Sequence, residues 1–317
     1  MRRPFPLVPG PMTTSTPGTG STFATLSGFA AIVLWSATIA VVRSLSEQVG
    51  PVTAGVGVHA VSGAVAMVVF LCSRSRRLRT LGLRPLYLFG CGALFVAYLA
   101  LLYLAVGLAS NRRQVLEIAL LNYLWPALTL VFSVTILRRR AGLLLLPGTL
   151  LALGGVFLVL TPTGSVSWGS FRANVAANPT AYACAAAAAV CWALYSCLTR
   201  RWAGGAAEGA IVLFLPATAI VLLAMTPLVH EPRAWSLRAG AETVFLGLAT
   251  YAAYGFWDVA MRKGRIVLVA AGSYLTPLLS TVVSCLYLRV MPGSQLWIGC
   301  AILVVGSVLS WRSVADE

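Results

Sequence analysis

The chain has 317 residues, of which 59% are hydrophobic and 10% are charged. Soluble domains carry about 25% charged residues, so this composition excludes an ordinary water-exposed surface. The formal net charge of +15 would indicate nucleic-acid binding in a soluble protein. In so apolar a chain it indicates membrane topology instead, so we expect the lipid bilayer as a partner and no nucleic acid.

The first 21 residues precede the first apolar stretch and are rich in proline, threonine and glycine. Such a composition cannot form a packed element, so residues 1–21 are predicted to be a disordered cytoplasmic tail. The pair Arg2 and Arg3 is followed by a proline-rich run rather than an apolar core. We therefore expect no cleaved export signal and a retained first helix.

Ten apolar stretches follow, each about twenty residues long, the length at which a helix crosses roughly 30 Å of hydrocarbon. They predict an all-α membrane protein with one membrane domain. Most of the 23 basic residues fall in segments on the side of the N-terminus, which predicts cytoplasmic N- and C-termini. The predicted spans 1 to 10 lie near residues 22–42, 51–72, 85–106, 114–137, 143–161, 180–199, 209–229, 240–261, 266–288 and 294–311.

The two halves of the chain resemble each other in sequence. A shift of 151 residues places the YLWP of 123–126 on the YLTP of 274–277, with no gap across two helices. A nearby shift pairs Trp35 with Trp192. Such self-similarity predicts an internal repeat.

The predicted repeats comprise five spans each, residues 22–161 and residues 180–312, joined by a periplasmic linker at 162–179. Because five is odd, the second repeat must enter the membrane from the opposite side. Inverted repeats are a recurring plan of secondary transporters, in which the two halves exchange roles to open one central site to either side.

Spans 4 and 9 each carry a proline at mid-span, Pro126 and Pro277. A proline there removes one helix hydrogen bond and frees the carbonyl groups of Asn122 and Ser273. Paired interruptions in the two halves of a transporter indicate a binding site, with the prolines as hinges. Simple packing kinks are the alternative.

Aromatic and polar residues accumulate around these breaks and one span before them. Aromatic rings could stack on a ligand, while hydroxyl and amide groups hold its polar end. Ordinary filling between helices is the alternative for each ring. The candidate substrate-binding residues are His59, Tyr98, Glu117, Asn122, Tyr123, Trp125, Tyr254, Trp257, Ser273 and Tyr274.

Few groups within the spans can ionise, and these are functional candidates: His59, Glu117 and Asp258. Arg113 precedes Glu117 by four residues, and Asp258 precedes Arg262 by four. Both carboxylates therefore also fit local helix ion pairs. No proton relay is visible in the sequence.

Other classes of protein lack support. The seven cysteines include no C-x-x-C pair, so neither a disulfide framework nor a metal site is expected. No H-E-x-x-H and no G-x-x-x-x-G-K-[ST] is present, so we expect no enzyme, no catalytic residue and no cofactor. A channel is a further alternative, but no filter loop or charged pore ring is visible.

The residues above resemble the drug/metabolite transporter superfamily, in its ten-helix members with two EamA-type halves. More narrowly, AIVLWS at 31–36, Glu117 followed by NYLWP at 122–126, and GSYLTP at 272–277 resemble the YddG-type aromatic amino-acid exporters. The resemblance runs from about residue 24 to residue 311. It implies a multi-pass protein of the bacterial inner membrane that exports aromatic and other amino acids through a cavity walled by spans 1, 3, 4, 6, 8 and 9.

The resemblance leaves the driving force open between a facilitator driven by the gradient of its own substrate and a proton-coupled exporter. The alternative function is proton-coupled export of another small metabolite or drug. A monomer is the expected assembly. Two features depart from the family pattern. Arg138, Arg139 and Arg140 stand where many EamA halves have Gly-Glu, and His59 stands where similar exporters can have an aromatic residue, which would change substrate preference.

Overall fold

The computed structural model of the chain describes residues 19–161, 168–204, 206, 208–288 and 294–314. Within these ranges the secondary structure is helical, with an isolated β-bridge between Ala141 and Val314. In chain order the helices are α1 (Thr19–Val49), α2 (Pro51–Cys72), α3 (Arg74–Leu81), α4 (Gly92–Gly107), α5 (Arg112–Asn122), α6 (Trp125–Ile136), α7 (Leu145–Leu160), α8 (Trp168–Ala177), α9 (Pro179–Ala203), α10 (Ile211–Met225), α11 (Leu237–Lys263), α12 (Ile266–Gly272), α13 (Thr276–Leu288) and α14 (Ser294–Arg312).

Short segments of other helical types complete the spans. A π-helical segment, Leu86–Cys91, opens span 3, and 3₁₀ turns lie at Thr226–Leu228 and Ser273–Leu275. Among the described residues, seven segments are long and apolar enough to cross a membrane. Three shorter apolar helices, in spans 5, 9 and 10, bring the number to the predicted ten, and the predicted all-α membrane fold is confirmed.

Contacts between helices follow a two-fold pattern. Helix α1 lies against α11 and α13, and its counterpart in the second repeat, α9, lies against α4 and α6. Exchanging the two halves converts the first set of contacts into the second. Helix α2 packs against its own counterpart α10, and α7 packs against its counterpart α14. Exchanging the two halves leaves these two pairs unchanged. This symmetry, with five spans in each half, is that of an inverted repeat.

Spans 4 and 9 are interrupted at both prolines. Helix α5 ends at Asn122, and Pro126 lies in the first turn of α6. Helix α12 ends at Gly272, and Pro277 is the second residue of α13. A proline fits the first turn of a helix because the N–H it lacks would have no partner there.

Backbone groups at the break in span 9 find partners. The Thr276 N–H donates to the Ser273 carbonyl. The prediction that this carbonyl is free was therefore wrong. The Ser307 hydroxyl donates to the Ala271 carbonyl at 2.5 Å, and the Ser36 hydroxyl lies 3.4 Å from the Thr276 carbonyl. Serines of neighbouring helices thus stabilise the break inside the membrane, where water is absent.

The ends of the spans differ from the prediction in three places. Helix α1 begins at Thr19, inside the predicted tail, whose residues 1–18 lie outside the described residues. It also continues to Val49, through a polar segment in which Ser44 and Gln48 donate to Glu242 of α11. In the predicted linker, residues 162–167 lie outside the described residues and the remainder is mostly α8.

Close backbone packing joins α7 to α14. A Cβ atom on Gly155 would lie 2.4 Å from the Leu303 nitrogen, and one on Gly306 would lie 2.2 Å from the Ala152 nitrogen. These two glycines occupy equivalent positions in the repeats. Small residues at such crossings allow helix backbones to approach and gain van der Waals contact in a membrane.

Replacing Gly155 by alanine is expected to lower the free energy of unfolding by about 1–3 kcal/mol, because the methyl group would overlap backbone that cannot rotate away. Gly154 is the matched control, since a Cβ there meets nothing within 4 Å. Thermal unfolding of the purified protein in detergent measures the difference. Equal melting temperatures for Gly155→Ala and Gly154→Ala would contradict the proposed role of the crossing.

Candidate functional site

Eight aromatic side chains meet in the centre of the bundle, contributed by spans 1, 3, 4, 6 and 8. Trp192, in α9, is 1% exposed and lies at the centre of the group. Its ring centroid is 4.6 Å from that of Tyr98, and the other six centroids are 5.2 to 6.2 Å away. We call this group the aromatic cluster: Trp35, Phe95, Tyr98, Trp125, Trp192, Tyr195, Tyr254 and Trp257.

The cluster joins the two halves of the protein. Trp35 and Trp125 of the first repeat contact Trp257 of the second at centroid distances of 5.3 and 5.4 Å. Trp192 stacks on Trp257 at 5.6 Å with an interplanar angle of 28°. Aromatic pairs contribute about 0.5–1.5 kcal/mol each beyond area burial. A ligand that inserts between these rings must therefore offer comparable ring contacts.

Several polar atoms in and beside the cluster lack a hydrogen-bond partner within the described ranges. Buried polar groups are nearly always hydrogen-bonded, and leaving one unpaired costs about 1–3 kcal/mol. Unpaired polar atoms also occur elsewhere in the described residues, for example in Thr53 and Thr80. Those near the rings are candidates for contact with water molecules or a polar ligand: His59 Nε2, Asn122 Oδ1, Tyr195 Oη and Trp257 Nε1, with Tyr274 Oη in the same hydrophobic core.

The structure brings four of the predicted residues into direct ring contact, namely Tyr98, Trp125, Tyr254 and Trp257. His59 lies at the edge of the cluster, with its ring centroid 6.5 Å from that of Tyr254. Its Nδ1 atom lies 2.9 Å from a backbone carbonyl of α2, so Nε2 is the atom left for a ligand. The structure thus brings five of the ten predicted residues together.

The polar residues at the two breaks are buried or half-buried. Asn122 lies next to the Tyr98 hydroxyl, and Tyr123 packs half-buried against the same core. Tyr274 and Ser273 are fully buried in the 3₁₀ turn of span 9. The Ser273 hydroxyl donates to a carbonyl of α12 at 2.6 Å, which leaves its oxygen as an acceptor only.

Glu117 makes a different set of contacts. It is fully buried and accepts hydrogen bonds from the Tyr182 hydroxyl and from Asn174 Nδ2 at 3.1 Å. Its hydrogen-bond partners in the described part of the chain are these two residues and not Arg113, with which the sequence suggested a pair. The Asn174 contact ties the linker helix α8 to α5.

The Asp258–Arg262 pair suggested by the sequence is present, with 2.8 Å between Nε and the carboxylate. The other carboxylate oxygen accepts from the Tyr87 hydroxyl at 2.8 Å, and Arg262 donates to the Ala206 carbonyl. Both charges are buried and hydrogen-bonded. This network holds α11 against span 3 and the segment before α10, and it borders the aromatic cluster, since Asp258 directly follows Trp257.

Four members of the cluster were not predicted as site residues: Trp35, Phe95, Trp192 and Tyr195. A signal existed for two of them, because Trp35 and Trp192 occupy equivalent positions in the repeats. Their ring centroids lie 5.9 Å apart in the structure. Phe95 and Tyr195 carry no distinguishing pattern in a single sequence.

The fold and the central site define a helical membrane transporter built from two inverted repeats. Residues 22–161 and residues 179–312 each match the EamA-like transporter family. The chain belongs to this family, and it is a multi-pass membrane transporter with a small-molecule substrate, not an enzyme.

Curated relatives match nearly the whole chain, and three carry the name aromatic amino acid exporter YddG. The protein from Salmonella typhimurium strain 14028s is 34% identical over 289 residues, covering 91% of this chain and 96% of the relative. The Escherichia coli K12 protein is 31% identical with the same coverage, and that of Ancylobacter novellus is 32% identical over 90% and 96%. A solved crystal structure matches with a TM-score of 0.74 at 30% identity, over 90% of this chain and 96% of that one.

The contacts of Glu117 lead to a test of its role. Glu117→Gln is expected to lower the free energy of unfolding by about 1–3 kcal/mol, because a charged acceptor of two hydrogen bonds is lost. Tyr182→Phe, which removes one of those bonds, should lower it by less. Thermal unfolding of the purified variants provides the measurement.

Binding of an amino acid and of its deaminated analogue to Glu117→Gln separates anchoring from recognition. A role in anchoring α8 predicts equal changes in affinity for the two compounds. A selective loss of affinity for the amino acid would instead assign Glu117 to the substrate ammonium group.

Proposed function

We propose that the protein exports aromatic amino acids, such as phenylalanine, tyrosine and tryptophan, together with other amino acids, from the cytoplasm to the periplasm. The observation that carries the proposal is the aromatic cluster, in which Trp192 contacts seven other rings at the meeting point of the two repeats. A substrate with an aromatic side chain that enters the cluster separates some of these rings, but its own ring makes new contacts with them. The names of the three relatives support the same substrate class.

The unpaired polar atoms suit the backbone of an amino acid. Asn122 Oδ1 is an acceptor and fits the ammonium group, whereas Trp257 Nε1 and the Tyr274 hydroxyl are donors and fit the carboxylate. The cluster contains no formally charged side chain, and a zwitterion carries no net charge. The proposed binding residues are His59, Tyr98, Asn122, Tyr123, Trp125, Tyr254, Trp257, Ser273 and Tyr274. Glu117 stays a predicted contact of the substrate ammonium group, which the comparison of an amino acid with its deaminated analogue tests.

Alternating access is the proposed mechanism. Spans 4 and 9 are interrupted at equivalent points, next to Pro126 and Pro277. Bending of the two spans at these points would open the cluster to one side of the membrane at a time. The distribution of basic residues supports an inner-membrane location with both termini in the cytoplasm. A monomer suffices for this mechanism because one chain supplies both halves.

An uncoupled facilitator is favoured over a proton-coupled exporter. Asp258 is paired with Arg262 and Tyr87, and Glu117 is held by Tyr182 and Asn174. Both carboxylates are therefore hydrogen-bonded to protein groups and are not left free to exchange a proton with the substrate site. A proton carrier must instead gain and lose its proton as the substrate site opens and closes.

The test is flux of labelled phenylalanine into liposomes that contain the purified protein, with and without an imposed pH gradient. The proposal predicts saturable flux that is inhibited by unlabelled tyrosine and tryptophan and unchanged by the pH gradient. Flux that follows the pH gradient would overturn the uncoupled mechanism. Absence of amino-acid flux would overturn the substrate class, and flux that does not saturate would indicate a channel.

The residues of the site are tested by Trp125→Ala and Asn122→Ala. Each is expected to reduce phenylalanine flux at least tenfold, since losing about 1.4 kcal/mol of binding free energy is tenfold in affinity. Trp297→Ala is the matched control, because Trp297 is 55% exposed in α14, away from the cluster. Melting temperatures confirm that the variants are folded. Unchanged flux in Trp125→Ala would remove it from the site.

A further inference from the structure

Helix α3 is a short basic helix that the sequence did not predict. It has the sequence RSRRLRTL, contains no acidic residue, and connects spans 2 and 3. Ser73 caps its first turn by accepting from the Arg76 N–H at 3.3 Å. Because α2 ends at Cys72 and span 3 begins at Leu86, α3 lies at the membrane surface.

One face of α3 is turned toward the protein. Thr80 is fully buried, and Arg76 and Arg79 reach Glu208 at 3.6 and 3.0 Å. Glu208 lies in the segment between α9 and α10, so these contacts link the two repeats. They fix the rotation of α3 about its axis.

The opposite face is unpartnered and mixes charge with apolar surface. Arg74, Arg77, Leu78 and Leu81 follow the spacing i, i+3, i+4 and i+7, which places them on one side of a helix. Leu78 is 61% exposed and Leu81 is 56% exposed. Arg74 is exposed and Arg77 half-exposed, and neither has an ion-pair partner in the described ranges.

This combination fits the interface of a lipid bilayer. Exposed leucines enter the boundary of the acyl chains, while arginine side chains reach back to the phosphate level. The apolar surface continues directly into the lipid-exposed start of span 3, where Phe89 is 76% exposed. A free phosphate ion would gain nothing from leucines in this position.

We propose that the outer face of α3 is a binding site for the headgroup of an anionic phospholipid. Arg74 and Arg77 bind the phosphodiester, and Leu78 and Leu81 lie against its acyl chains. Arginine matches phosphate geometry with two parallel hydrogen bonds. The bound lipid holds α3 at the surface, and through Glu208 it steadies the contact between the two repeats.

The experiment is native mass spectrometry of the full-length protein in detergent, titrated with phosphatidylglycerol or with phosphatidylcholine. Each basic residue at an anionic surface contributes about fivefold in affinity. Arg74→Gln together with Arg77→Gln should therefore weaken binding of the first phosphatidylglycerol by about 25-fold. Phosphatidylcholine, whose choline cation offsets the phosphate charge, should bind more weakly to the unmodified protein and lose less affinity in this variant.

The matched control is Arg113→Gln together with Arg172→Gln, which removes the same charge from two exposed arginines in α5 and α8. The control should retain the affinity for phosphatidylglycerol. Equal losses in both double variants, or no loss in the α3 variant, would overturn the proposal. Displacement of the lipid by inorganic phosphate at millimolar concentration would also overturn it, because the site would then recognise phosphate alone.

Discussion

Trp192 is the side chain through which the two repeats are held together at the centre of the membrane. Four of its seven ring contacts come from the first repeat and three from the second. No hydrophobic effect drives helices together in lipid, so close contact between side chains must supply much of the stability. The same contacts that hold the bundle together therefore occupy the space where a substrate would bind.

Polar groups divide into two kinds according to their place in the bundle. Asp258 and Glu117 are buried charges, and each is surrounded by hydrogen-bond donors. In contrast, Asn122, Tyr274 and Trp257 keep polar atoms unpaired in the middle of the protein. Buried polar groups without a hydrogen-bond partner occur mainly at functional sites. The unpaired atoms beside the rings support the proposal that recognition takes place at the centre.

The helical architecture was predictable because span length and the internal repeat are properties of the sequence alone. The site was predictable only in part. Prolines and mid-span aromatics indicated Tyr98, Trp125, Tyr254 and Trp257, but the central Trp192 was recognised only as a repeat position. Ring contacts and the partners of Glu117 depend on how helices rotate against each other. Helix α3 was missed because four arginines in eight residues carry no apolar periodicity.

The glycine crossing of α7 and α14 has a consequence for how the transporter moves. This pair, like α2 with α10, converts into itself when the halves are exchanged. In the proposed alternating access, the pair α1 and α11 and the pair α9 and α4 would exchange the packing that each has in this structure. Self-paired helices face no such requirement. With their backbones in contact at Gly155 and Gly306, α7 and α14 would keep one packing arrangement while the other helices move.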